Sequence, residues 1–144
     1  GAVTALAVLL EGLVLPAGVG TVFVAPSEWV LDPRTLVQPD LYVVPLVEGR
    51  RPRTYEERAQ ALLFVEVLSP GTARFDRVVK RERYLRAGIE YWIVDLDSRL
   101  VERWMPGEER PSIHAEELVW QPAGAIAPFV IVLDPFFTEV VGPA

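Results

Sequence analysis

Glu66 stands inside LLFVEVLSP, residues 62–70, where Leu62, Leu63, Phe64, Val65, Val67 and Leu68 form a near-continuous apolar run. Such a run reads as a strand buried on both faces. An ionised carboxylate buried there without a partner costs several kcal/mol, comparable with the net stability of a small domain. Glu66 therefore needs a cation: a metal, a lysine or arginine, or several aligned N–H groups. Two other residues bear on that need. Asp40 follows Pro39 at the entry of a further strand, and Lys80 is the only lysine in a chain that otherwise writes arginine for its basic side chains. A lone lysine marks a place that needs a compact ammonium, where a planar guanidinium fork would not serve. Two carboxylates at the edges of adjacent strands, with a lysine nearby, make a site for a hard divalent cation and a water. Mg²⁺ takes oxygen ligands, commonly one or two carboxylates with waters and phosphate oxygens. The lysine orients the water or stabilises developing negative charge.

The elements that must position these residues follow from the pattern. Residues 2–14 read as a helix ended by Pro16. TVFVA (21–25) and EWVL (28–31) read as short strands around Pro26, and VQPDLYVVP (37–45) as a strand with Pro39 at its entry. Residues 48–60 are a charged surface loop in which Arg50, Arg51 and Arg53 either meet phosphates or form a solvated face. After the buried strand, residues 73–87 give the clearest helix, with Thr72 as N-cap and Gly88 as C′ residue. Phe75, Val78, Val79 and Leu85 are its expected core stripe, with Asp76, Lys80 and Tyr84 at i, i+4 and i+8 on a neighbouring face. YWIVD (91–95) and LVERWM (100–105) read as a hairpin, residues 106–117 as a polar loop, and ELVWQ (117–121) and FVIVLD (129–134) as strands before a terminal turn at Pro135. The order is that of an α/β domain with a mixed central sheet.

Composition narrows the function classes. The chain has 144 residues, enough for one domain with a real core, and about half of them are hydrophobic (51%). It has no cysteine, so disulfides, thiolate zinc sites and cysteine nucleophiles are excluded. A net charge of −6 confines any contact with nucleic acid to a local basic patch. The single histidine, His114, lies in the polar loop, far in sequence from the carboxylates. Ser69 is close to Glu66 but has no adjacent base to make it a nucleophile. The apolar N-terminal stretch is too short to span a bilayer, so the expectation is a cytoplasmic protein with no membrane association.

VQPDLYVVP, then LFVEVLSPGTARFDRVVKRERYLRAG, then EYWIVD resembles the Uma-type putative restriction endonuclease family, of the restriction-endonuclease-like PD-(D/E)XK nuclease superfamily, over nearly the whole chain. The resemblance implies a restriction-endonuclease-like fold, a mixed central sheet flanked by helices, in one domain over residues 1–144 that lacks the family's N-terminal helix and hairpin. It also implies a Mg²⁺- or Mn²⁺-dependent phosphodiesterase site acting on DNA. Asp40 matches the motif aspartate and Glu66 the second carboxylate, both as metal ligands. The superfamily's usual lysine position, two residues after the glutamate, holds Leu68; Lys80 matches the family's lysine on the following helix and takes the catalytic role. Asp76 is placed to hold Lys80. A homodimer is left open, since apolar surface remains to be buried. The competing readings are a non-catalytic dimerisation or interaction module that keeps the nuclease fold, and a hydrolase of a small phosphorylated ligand.

Overall fold

A computed structural model describes residues 1–58, 60–68 and 74–144, with the side chains of residues 74–77 outside the description. Ser69, the Thr72 cap, the side chains of Phe75 and Asp76, and those of Arg74 and Arg77 thus lie outside the described residues.

A six-stranded sheet organises the chain. It is ordered β1 (Gly20–Val24), β4 (Leu41–Pro45), β5 (Leu63–Leu68), β6 (Tyr91–Asp95), β7 (Leu100–Trp104) and β8 (Ser112–His114). Only β5 and β6 run parallel; the other neighbours are antiparallel. A parallel pair needs a crossover, and α2 (Arg74–Arg86) supplies it. Helices α1 (Ala2–Val14) and α3 (Leu133–Val141) and two small sheets, β2–β3 (Trp29–Asp32, Thr35–Val37) and β9–β10 (Glu117–Trp120, Phe129–Val132), complete the described elements.

Side chains alternate across a strand, so each sheet face has its own core. On one face Leu41, Val43, Leu63, Val65, Trp92 and Val94 pack with residues of α1, α3 and β9–β10. On the other, Tyr42, Phe64, Tyr91 and Ile93 pack with Tyr84 of α2 and with Trp29 and Val37 of the β2–β3 hairpin. Parity decides where the carboxylates lie. Glu66 shares a face with Phe64, and Asp40 precedes Leu41, so both fall on the α2 side.

Helix α2 keeps Leu85 of the expected stripe against the core and is rotated from that stripe towards the neighbouring face. Val78 is 37% exposed, whereas Tyr84 is 1% exposed, its ring 4.6 Å from Phe64 and 4.9 Å from Tyr91. Ring area outweighs the hydroxyl, and the Lys80–Tyr84 line faces the sheet. The end of α2 follows expectation. Gly88 adopts φ +81°, its N–H bonds to the Leu85 carbonyl, and the Ile89 N–H to that of Tyr84, the paired bonds of a Schellman motif.

Three segments differ from the pattern reading. The strand expected over 37–45 divides: β3 ends at Val37 and β4 begins at Leu41. Pro39 has no N–H to give a ladder, and the Asp40 N–H points to Glu66. Residues 112–114, read as loop, form β8 against β7, a short edge strand with Ile113 exposed and no apolar alternation to reveal it. The terminal turn at Pro135 is helix α3. Proline is tolerated in a first helical turn, Asp134 there suits the helix dipole, and Phe136 and Phe137 are buried in the α1-side core.

The open edge of β1 is closed by side chains. Glu11 Oε1 accepts the Val22 N–H at 3.3 Å, and Arg51 Nη2, ion-paired with Glu11, donates to the Val22 carbonyl at 3.4 Å. Arg51 therefore guards an edge against strand addition, and Arg50 is held by Glu57. At the start of β1, a Cβ on Gly20 would lie 2.5 Å from the Val44 carbonyl oxygen, which is backbone and cannot move away. Gly20→Ala is expected to destabilise the fold by about 1–3 kcal/mol, read as a lowered urea midpoint with an unchanged slope.

Candidate active site

Asp40 and Glu66 come together at one end of the β4–β5 pair. The Asp40 N–H points to Glu66 Oε2 at 3.4 Å, and Asp40 Oδ2 accepts the Val67 N–H at 2.7 Å. The second bond is charge-assisted and fixes the aspartate against the strand that carries the glutamate. On its other side the Asp40 carbonyl accepts the Ala25 N–H at 3.0 Å. Asp40 is half-buried and Glu66 is 7% exposed.

Helix α2 completes the arrangement. Lys80 Nζ lies 3.5 Å from Glu66 Oε1, and the Tyr84 hydroxyl donates to the same oxygen at 3.4 Å. Lys80 is about one-third exposed, so its ammonium keeps a solvent side. A cavity of about 320 Å³ adjoins these groups, walled by Lys80, Arg83 and Tyr84 of α2 and by Leu36, Val37 and Gln38 before Pro39. All three sequence-predicted residues thus meet at one place. Tyr84 is the contact that pattern reading missed as a partner of Glu66; its i+4 spacing from Lys80 was the available signal. His114 is elsewhere, on β8, bonded to Ser112 and the Glu117 carbonyl.

Burial dominates the electrostatics of Glu66. It pushes the carboxyl up to about 7, against the pull of the Lys80 charge; the nearby Asp40 carboxylate adds to the rise, and the Asp40 N–H opposes it. Glu66 is thus under-compensated for its charge at neutral pH. Glu90 gives the contrasting case. Burial raises its pKa too, opposed by the Arg103 charge, but its Oε2 accepts both the Trp92 indole N–H (2.6 Å) and the Arg103 Nε–H (2.9 Å). Glu90 is a satisfied structural pair between β6 and β7. Glu66 has long contacts, 3.5 Å to Lys80 Nζ and 3.4 Å to the Tyr84 hydroxyl.

The family model described as "Putative restriction endonuclease" matches residues 2–127. The chain belongs to this family, Uma2. A search of curated proteins returned no match. Among solved structures, the Uma2 chain is similar to the crystal structure of a putative nuclease belonging to DUF820 from Anabaena variabilis. The TM-score is 0.69 at 17% identity, covering 98% of this chain and 83% of that one. At that identity the likeness concerns the fold, which is restriction-endonuclease-like: a mixed α/β arrangement with a mostly antiparallel central sheet.

Nucleases of this class generally use divalent metals. The donor chemistry here fits one. Asp40 and Glu66 offer hard carboxylate oxygens, and a cation beside Glu66 would relieve the burden that burial places on its charge. Among the described residues no group of three or more His, Asp or Glu side chains gathers as a metal cage. Two carboxylates supplemented by water and phosphate oxygens are the Mg²⁺ pattern, and a dedicated all-protein cage is not.

Proposed function

We propose that this Uma2 protein hydrolyses phosphodiester bonds of DNA in a reaction dependent on Mg²⁺ or Mn²⁺, as a restriction-type endonuclease. The observation that carries the reading is the convergence of Glu66, Asp40 and Lys80, with Lys80 Nζ 3.5 Å from the Glu66 carboxylate and the Asp40 N–H 3.4 Å from it. When bound by Asp40 and Glu66, a divalent cation supplies a water of lowered pKa and neutralises charge at phosphorus. Asp40 keeps one orientation because its Oδ2 is tied to the Val67 N–H. Glu66 holds its carboxylate against Lys80 and the Tyr84 hydroxyl, two side chains that wall the cavity. Lys80 orients the attacking water by donating an N–H to its oxygen, or places positive charge against the phosphorane oxygens as they gain negative charge.

Nicking of supercoiled plasmid tests the reading. Wild-type protein is expected to convert plasmid to open circles with Mg²⁺ or Mn²⁺ and to stop in EDTA. Absence of metal-dependent nicking would favour the interaction-module reading of the same fold. Lys80→Met is expected to lower the single-turnover rate about a hundredfold with little change in the DNA concentration for half-saturation, since its role is in the transition state.

A further inference from the structure

The cavity beside Lys80 does not end there. A second cavity, of about 350 Å³, lies between the tip of the β2–β3 hairpin (Leu31, Asp32, Thr35) and the end of α2 (Arg83, Arg86, Ala87). Arg83 walls both cavities, so together they follow α2 from Lys80 to its C-terminal end, with the hairpin as the facing wall. Lys80, Arg83 and Arg86 succeed one another at three-residue spacing, each about 4.5 Å further along the axis. Arg83 and Arg86 are exposed. Neither has an ion-pair partner among the described residues, whereas Arg50, Arg51, Arg99 and Arg103 each pair with an acid. Asp32 contributes one carboxylate to the wall, its Oδ1 accepting the Arg34 N–H. Two guanidiniums against one carboxylate leave the trench cationic, on a chain whose net charge is −6.

We infer that this trench is a backbone track for one DNA strand, in which Arg83 and Arg86 bind phosphates beyond the bond placed at Lys80. The inference rests on the proposed DNA hydrolysis and specifies its substrate as a polymer. A mononucleotide or other small phosphoester fills one cavity, while a strand fills both. Exposed guanidiniums suit this task because they bind phosphate oxygens bidentately without reading base sequence.

Fluorescence anisotropy with a labelled 20-base-pair duplex, in calcium buffer over a range of NaCl concentrations, tests the track on the full chain. Arg83→Ala/Arg86→Ala is expected to weaken binding about tenfold or more and to reduce the slope of log affinity against log salt by about 2, one for each lost phosphate contact. Arg110→Ala removes the same kind of charge from the exposed β7–β8 loop and is expected to change neither quantity. Arg83→Gln/Arg86→Gln repeats the test should the alanine variant fail to fold. Wild-type binding with no change in the double variant overturns the track, as does an equal loss in Arg110→Ala or the absence of wild-type binding. Plasmid nicking reads hydrolysis separately: binding that loses its salt slope in the double variant, without any nicking by wild type, upholds the track and sinks the proposed hydrolysis.

Discussion

Glu66→Gln is expected to remove metal-dependent DNA cleavage by at least about a thousandfold, and Asp40→Asn to do the same. Glutamine keeps the shape of the side chain and its reach to Tyr84, so the fold is retained while the anionic charge is lost. The loss is expected in the rate and in the apparent metal affinity together, because a neutral amide holds a hard divalent cation poorly. The Asp40 change leaves its backbone N–H facing Glu66 and leaves the carbonyl that anchors Ala25. Circular dichroism should therefore be native-like in both variants. Single-turnover cleavage of plasmid by both variants and wild type checks the prediction; equal residual cleavage in all three would remove these residues from the mechanism.

The second large effect is on stability, in metal-free protein. Glu66 has its carboxyl raised from an ordinary 4.5 to about 7 in the folded state. Below about pH 4.5 it is protonated in both folded and unfolded chains, and its burial is unopposed by charge. As pH rises from 4.5 towards 7 the unfolded chain releases this proton while the folded chain retains it, so the balance shifts to the unfolded state. Above pH 7 the folded carboxylate is ionised as well, and the deficit stays constant. The expected size is about 3 kcal/mol. Glu66→Gln cannot titrate here, so the wild type should lose stability relative to this variant between pH 5 and pH 8 in EDTA. The raised Glu90 carboxyl contributes in the same direction to both proteins and cancels in the difference. Urea unfolding of the pair at the two pH values is the measurement. Parallel pH dependence in the two proteins would show that burial does not burden Glu66.

How far the sequence alone specified this depends on the element. The β5 strand was legible because its apolar run and its single carboxylate conflict, and that conflict marked Glu66 for a cationic partner, which Lys80 supplies at 3.5 Å. Asp40 and Lys80 were legible as residue types, one by its place after Pro39 and one by being the sole lysine. Their meeting was not: parity puts Glu66 on one sheet face, but α2 must rotate Lys80 and Tyr84 onto that face. A stripe through Val78 and Leu85 puts Lys80 and Tyr84 on the neighbouring face; Leu85 does pack on the core, but Val78 is exposed and Tyr84 buried. The Arg50–Arg51–Arg53 run resisted reading for another reason. Glu11 and Glu57, which hold Arg51 and Arg50, lie at different distances along the chain, and local charge patterning does not see the partner on α1. Short β8 and helix α3 were missed because three edge residues and one first-turn proline carry too little periodicity.

Isothermal titration of metal-free protein with Mn²⁺ at pH 7.5 tests most directly whether Asp40 and Glu66 form a divalent-cation site. One binding event per chain is expected for wild type, with a proton release on binding as Glu66 is driven to its ionised form, and no binding for Glu66→Gln or Asp40→Asn. The same Mn²⁺ isotherm in wild type and both variants would contradict such a site.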